Sequence, residues 1–170
     1  MENIPFNKPY LTGKEAHYMY QAVYTGKLSG NGYFTKKCNK FFEEKYGFKK
    51  CLLTTSGTDA LEMCAMLCDL HPGDEVIVPS YTFVSTALAF LREGATVIFA
   101  DSMDHNPNID AAKLEALITP RTKVIAPVHY AGVPAIWTPL WKWQTGTTCW
   151  WWRMRRRPWT PTTRASPWAA

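Results

Sequence analysis

The sequence predicts an α/β fold in which a mainly parallel β-sheet is covered by helices on both faces. Short apolar runs alternate with helical patterns, turn residues separate them, and apolar residues make up 46% of the 170-residue chain. No apolar run reaches the length of about 18 residues that spans a bilayer. The first residues also lack the basic and apolar regions of a secretory signal, so we expect a cytoplasmic protein.

Two helices are predicted near the N-terminus, over residues 14–25 and 36–46. Gly47 ends the second helix, because glycine readily adopts the left-handed conformation that closes a helix. The apolar run at residues 51–55 predicts a short strand, and a helix is expected from residue 59 to residue 70.

The middle of the chain repeats this alternation. Pro72, Gly73 and Asp74 predict a turn, followed by a strand over residues 75–78. A helix is expected over residues 83–92.

Gly94 is expected to end this helix, and a strand is predicted over residues 96–100. Asp110 is predicted to cap a helix that runs to residue 118, because its carboxylate accepts hydrogen bonds from first-turn N–H groups. A last strand is predicted over residues 123–128. Strands that alternate with helices favour parallel pairing.

The segment that contains Ser56, Gly57, Thr58 and Asp59 is a candidate phosphate site. A strand is expected to lead through small residues into a helix, whose N-terminus offers unpaired N–H groups and a partial positive charge. Glycine allows close approach of an oxygen, and the hydroxyl groups add donors. The alternative is an ordinary capped helix, with Ser56 or Thr58 as the cap.

Two further segments follow predicted strands, at the sheet edge where open α/β folds bind ligands. Tyr81 and Phe83 could stack on a planar cofactor, or they could be core residues. His129, followed by Tyr130, could donate to a cofactor or substrate oxygen, or it could be structural.

Four segments together resemble the DegT/StrS family of sugar aminotransferases. They are residues 27–35, 55–63, 72–87 and 127–132, and the resemblance covers about residues 3–134. It implies the large domain of the aspartate-aminotransferase-like architecture (fold type I), of which residues 1–134 would be the incomplete N-terminal part. It also implies the cofactor pyridoxal 5′-phosphate (PLP) and a homodimer.

The resemblance assigns roles to individual residues. Gly57 and Thr58, with Ser56 and Asp59, would contact the cofactor phosphate, and Phe83 would stack on its ring. The implied activity transfers an amino group from an amino acid, glutamate, to a dTDP-4-keto-6-deoxyhexose. The product, dTDP-4-amino-4,6-dideoxygalactose, would serve surface polysaccharides such as enterobacterial common antigen.

Residues 135–170 have a different composition. They hold all eight tryptophans, six basic residues and no acidic residue, whereas residues 1–134 carry 13 basic and 14 acidic residues. The family's Val-Val-Glu-Asp-Ala-Ala-Gln segment, whose aspartate holds the pyridinium nitrogen protonated, is missing from this region. The family's Schiff-base lysine is missing too, because Lys142, the last lysine, stands in a different context. We therefore expect the chain to be catalytically inactive.

The genetic code suggests a shifted reading frame after Pro134. Tryptophan has the single codon TGG, so starting each codon one base earlier converts Trp150-Trp151-Trp152 into Val-Val. The six residues from Trp152 to Arg157 then permit Glu-Asp-Ala-Ala-Gln. The hypothesis is that residues 135–170 are an out-of-frame tail without a native fold.

Two alternatives remain at the sequence level. A genuine tail rich in Trp and Arg could bind single-stranded nucleic acid or a membrane surface, although the codon coincidence disfavours both. The chain could also pair with an intact homologue. The five cysteines lack zinc-ligand spacing, so we expect no metal, and Cys64 and Cys68 are expected to pack in the interior.

Overall fold

The computed structural model describes residues 8–135, 150–151 and 154–155. The chain divides into two compact units between Leu53 and Thr54. Among the described residues, no helix is long and apolar enough to cross a membrane.

The first unit contains the two predicted helices, α1 (Glu15–Tyr24) and α2 (Tyr33–Tyr46). The Glu15 carboxylate accepts hydrogen bonds from the N–H groups of Thr12 and Gly13, at 2.6 and 2.9 Å, which fixes the turn before α1. As predicted, Gly47 ends α2, with φ of +68°.

The predicted strand at residues 51–55 is wrong. The segment has no regular secondary structure, and Leu52 and Leu53 are exposed. A strand is stable only when a neighbouring strand pairs with its backbone, and no described residue pairs with this segment. The Cys51 N–H donates instead to a side chain, the Glu43 carboxylate, at 3.0 Å.

The second unit is built on a parallel sheet, which confirms the predicted fold class. Its strands are β1 (Glu75–Pro79), β2 (Thr96–Ala100), β5 (Thr122–Ile125) and β7 (Trp150–Trp151), in the order β2-β1-β5-β7. All five residues of β1 are buried, because this strand has neighbours on both sides. Between β2 and β5 lies an antiparallel hairpin of β3 (Ser102–Met103) and β4 (Asn106–Ile109), which the sequence did not predict.

Successive residues of β1 point to opposite faces of the sheet. Val76 and Val78 pack with Phe90 under α3 (Gly57–Met66) and α4 (Ser85–Arg92). On the other face, Ile77 packs with Ile109 of β4 and with the short 3₁₀ helix Leu114–Leu117.

Helix α3 begins two residues before its predicted start and ends four residues early. Ser56 is its N-cap, since the Ser56 hydroxyl accepts from the Asp59 N–H at 3.1 Å. Asp69 adopts φ of +49°, which a helix interior does not allow. Helix α4 begins at Ser85 rather than at residue 83.

The predicted helix from Asp110 to residue 118 is wrong. Asp110 caps a turn, accepting from the Ala112 N–H at 3.0 Å, and only the 3₁₀ helix Leu114–Leu117 follows. Pro120 restricts the conformation of Thr119, so no helix can continue beyond Ile118.

The strand predicted over residues 123–128 is broken into β5 and β6 (Val128–His129). Pro127 lies in the gap and has no N–H group to pair. Strand β7 pairs with β5, and β8 (Met154–Arg155) pairs with β6, both in parallel. The remainder of residues 136–170 lies outside the described residues, so the predicted tail without a native fold stays a prediction.

Candidate functional site

A cavity of about 670 Å³ opens where β1 and β6 end. Its size falls in the range of small-molecule sites, roughly 300–1,000 Å³. Three segments contribute to its lining, and they are the three that the sequence singled out. Their lining residues are Gly57, Thr58 and Leu61 in α3, all but Val84 of residues 80–86, and residues 128–131.

The start of α3 presents backbone donors to the cavity. Asp59 donates its N–H to the Ser56 hydroxyl, and the Ala60 N–H bonds to the Ser56 carbonyl at 3.2 Å. Among the described residues, none accepts a hydrogen bond from the N–H groups of Gly57 and Thr58. A Cβ added at Gly57 would meet nothing within 4 Å. This arrangement suits an anion such as a phosphate.

Hydroxyl groups extend these donors along one wall. The Thr58 hydroxyl lies 2.9 Å from that of Ser85, and the Thr82 hydroxyl lies 3.0 Å from that of Thr86. Ser85 and Thr86 are buried. The sequence analysis did not identify either residue as part of the site. The spacing of Thr82 and Thr86 was a usable signal, because residues four apart lie on one face of a helical turn.

Aromatic rings form another part of the lining. Phe83 and Tyr81 are exposed, by 67% and 55%, so they are not the core residues of the alternative interpretation. The Tyr81 ring meets the Tyr130 ring edge to face, with centroids 5.0 Å apart. Exposed rings at a cavity mouth offer flat apolar surface to a planar ligand.

His129 is buried in the cavity wall, and its ring is oriented by the backbone. The Ala135 N–H donates to Nδ1 at 2.9 Å. Nδ1 is therefore the acceptor nitrogen, and the neutral ring carries its proton on Nε2. Tyr130 lines the cavity beside it.

Two predicted phosphate contacts do not line the cavity. Ser56 serves as the cap of α3, and the Asp59 carboxylate accepts from the Thr55 hydroxyl. That hydrogen bond, followed by those from Ser56, lowers the pKa of Asp59, so its side chain is an anion. An anion is a poor partner for a phosphate, and the contacts of Ser56 and Asp59 with phosphate stay a prediction.

Cys64 lies in α3, and Cys68 follows two residues after the helix ends. Cys68 is buried, and its thiol contacts the Cys64 carbonyl at 3.3 Å. Burial raises the pKa of the Cys64 thiol to about 11, which keeps it protonated and unreactive. Among the described residues, no group of three or more His, Cys, Asp or Glu side chains could hold a metal ion.

Comparison with known proteins gives this cavity a family context. The pattern of the DegT/DnrJ/EryC1/StrS aminotransferase family matches residues 9–142. The chain belongs to this family. The family resemblance carried by the four sequence segments is thus confirmed.

Two curated members of the family are similar over part of this chain. GDP-perosamine synthase of Caulobacter vibrioides is 42% identical over 124 residues, which are 73% of this chain and 33% of the synthase. The UDP-N-acetyl-3-dehydro-α-D-glucosamine 3-aminotransferase of Acidithiobacillus ferrooxidans is 52% identical over 80 residues, or 47% of this chain and 22% of that enzyme.

Solved structures agree on the fold. The sugar aminotransferase Spr1654 of Streptococcus pneumoniae, in its PMP form, superposes with a TM-score of 0.77 at 31% identity. The match covers 83% of this chain and 35% of that one. This chain therefore spans between 22% and 35% of the length of these three relatives.

Proposed function

We propose that this chain is the N-terminal part of a PLP-dependent nucleotide-sugar aminotransferase, and that its cavity is the cofactor site. The observation that carries the proposal is the pairing of phosphate-binding geometry with exposed aromatic rings in one cavity. Gly57 and Thr58 offer N–H groups at the start of α3, and Phe83 and Tyr81 offer flat apolar surface nearby.

The residues present suit PLP. Gly57 and Thr58 would hold its phosphate, assisted by the hydroxyls of Thr58 and Ser85, which already lie 2.9 Å apart. Phe83 would cover a face of its ring. When bound, PLP supplies an electron sink for amino-group transfer. The chain's own residues bind the phosphate, orient the ring and exclude water from it.

His129 suits the role of a neutral hydrogen-bond donor. Because the Ala135 N–H occupies Nδ1, a second proton on that nitrogen would face another donor. With Nδ1 accepting, the neutral form of the ring carries its proton on Nε2. Such a group orients an oxygen of the cofactor or substrate without adding charge.

The proposed substrates are a dTDP-4-keto-6-deoxyhexose and glutamate as the amino donor, in a homodimer in the cytoplasm. The names of the curated relatives support a nucleotide-linked sugar, although they specify GDP and UDP. The choice of dTDP rests on the resemblance of the sequence segments.

Residues 135–170 contain neither the family's pyridinium carboxylate nor its lysine in the expected context. We therefore propose that these 170 residues bind the cofactor without completing the reaction. The shifted-frame hypothesis explains why residues 135–170 differ from the sequence that the family has at this point. Resequencing the DNA around codon 134 tests it. A clean frame with no family-like continuation in the neighbouring frame would contradict it.

Substitution of Gly57 by Ala tests the cofactor site. The new methyl group meets no atom of the chain, and alanine suits a helix start, so the fold is retained. The methyl group would occupy the space of the phosphate, and calorimetric titration should show PLP binding weakened about tenfold or more.

Gly30→Ala is the matched control, because a Cβ at Gly30 also meets nothing within 4 Å and lies far along the chain from the cavity residues. It should leave the affinity for PLP unchanged. Equal binding of PLP by wild type and G57A, with both folded, would overturn the proposed site.

A further inference from the structure

The turn that carries His129 and Tyr130 is held by a side chain that is distant in sequence. Asn108 lies on β4 and is buried, with 1% of its surface exposed. Its Oδ1 accepts from the Tyr130 N–H at 2.9 Å, and its Nδ2 donates to the Val133 carbonyl at 3.1 Å. One carboxamide thus bonds both ends of the turn.

The backbone of this turn needs such support. Ala131 has φ of +50°, a conformation that non-glycine residues adopt rarely. Gly132 follows with φ of +83°. Strained conformations of this kind persist where the surrounding contacts determine them. Inside the turn, the Val133 N–H bonds to the Tyr130 carbonyl at 2.9 Å, which closes it between the two bonds of Asn108.

The bonds from Asn108 also determine where the turn places side chains in the cavity lining. Tyr130, whose N–H is fixed by Asn108, places its ring against that of Tyr81, and both rings line the cavity. Beyond the turn, the Ala135 N–H orients the ring of His129. The carboxamide therefore fixes the segment that sets the positions of both side chains.

We propose that Asn108 is a positioning residue for the ligand site: its carboxamide holds the turn of residues 130–133 and thereby sets the aromatic wall that contacts the ring of the cofactor. The inference rests on the proposed function for the identity of the ligand. It assigns no contact between Asn108 and the ligand itself.

Two probes separate the wall from the phosphate site. PLP engages both parts of the cavity, whereas inorganic phosphate engages only the start of α3. Asn108→Ala removes both bonds to the turn. Displacement of the aromatic rings should then weaken PLP binding about tenfold, a loss of roughly 1.4 kcal/mol. Binding of inorganic phosphate should change less than about twofold. Equal weakening of both ligands would overturn the proposal.

Asn106→Ala is the matched control, since Asn106 lies on the same strand and bonds to the Asn108 N–H but not to the turn. It should leave the ratio of PLP to phosphate affinity as in wild type. A change in this ratio as large as that of N108A would assign the effect to β4 as a whole and contradict the proposal.

Amide hydrogen exchange provides a readout that needs no ligand. In N108A, the Tyr130 and Val133 amides should exchange at least about tenfold faster, while the amides of Ile77 and Val78 in β1 keep their protection. Equal acceleration in the turn and in β1 would mean general destabilisation, and an unchanged Tyr130 amide would mean no role in the turn. Either result overturns the proposal, whether or not the wild-type chain binds PLP. If wild type binds no PLP but the turn loses protection selectively, the proposed function fails and the positioning of the turn stands.

Asn108→Asp supplies a test by rescue. An ionised Asp still accepts from the Tyr130 N–H but has no donor for the Val133 carbonyl, whereas a protonated Asp regains an O–H in the same shape. Relative to wild type at the same pH, the exchange rate of the Val133 amide in N108D should approach the wild-type value as pH falls from about 8 to about 5. A ratio that stays well above 1 at every pH would contradict the two-ended bond.

Discussion

The polar groups at the two ends of the central sheet have different partners. Where β1 begins, buried Glu75 accepts from the Thr119 hydroxyl at 2.5 Å and from the Arg121 guanidinium at 2.6 and 2.9 Å. Where β1 ends, the N–H groups of Gly57 and Thr58 and several hydroxyls face a cavity. Polar groups with internal partners stabilise a fold, whereas polar groups that face a cavity can bind a ligand.

The largest expected effect is on the stability of the whole sheet, and it comes from substitution of Phe90. Phe90 is fully buried between α4 and the sheet. Phe90→Ala should lower the free energy of unfolding by about 3–5 kcal/mol, because it removes buried surface and leaves a cavity. Urea denaturation measures this loss. Leu91→Ala, at an exposed neighbouring position, is the control and should cost far less. Similar losses for both variants would contradict the placement of the core.

A smaller effect, confined to the first end of β1, is expected from Glu75→Gln. The uncharged amide weakens the bonds from Thr119 and Arg121, so Tm should fall by roughly 2–4 °C for each kcal/mol lost. Glu62→Gln is the control, because Glu62 pairs with Arg92 on the surface, where an ion pair contributes little. PLP binding per folded molecule should be unchanged in E75Q. A specific loss of that binding would show that the two ends are coupled.

The pH dependence of stability should identify the same end. The hydrogen bond from Thr119, followed by that from Arg121, lowers the pKa of Glu75 below its ordinary value of 4.5. The N–H of His71 and the ammonium of Lys123 likewise lower the pKa of Asp74. The folded state therefore binds fewer protons, so this contribution is present above about pH 4.5 and is lost as pH falls through the lowered values.

Urea midpoints between about pH 7 and pH 3 measure that loss. The wild-type midpoint should decline below about pH 4.5, and E75Q should flatten the decline, since one of the two carboxylates is gone. An acid limb of equal steepness in E75Q would assign the titration to other groups.

The sequence predicted the parts of the fold whose determinants are local. Strand β2 has its predicted bounds, and Gly47 and Gly94 end their helices with positive φ. Residues 51–55 have the composition of a strand, but pairing requires a partner that local composition does not reveal. The break at Pro127 was visible in the sequence, since proline has no N–H to pair.

The residues of the candidate site also fall into two groups, those that local sequence reveals and those that it does not. Gly57 and Phe83 were identified because a small-residue turn and an aromatic follow predicted strands. Asn108 was not identified, because its importance arises from bonds to residues 22 and 25 positions away. A polar residue with such partners looks like any surface asparagine until the fold brings the partners together.

Backbone amide shifts of the ¹⁵N-labelled chain during a titration with PLP test the central claim most directly. We expect the amides of Gly57 and Thr58 to shift most. The amides of Gly73 and Gly94, at turns outside the cavity lining, should not shift. Absence of any shift at Gly57 and Thr58 at saturating PLP, or larger shifts at another surface, would contradict the assignment of the start of α3 as the phosphate site.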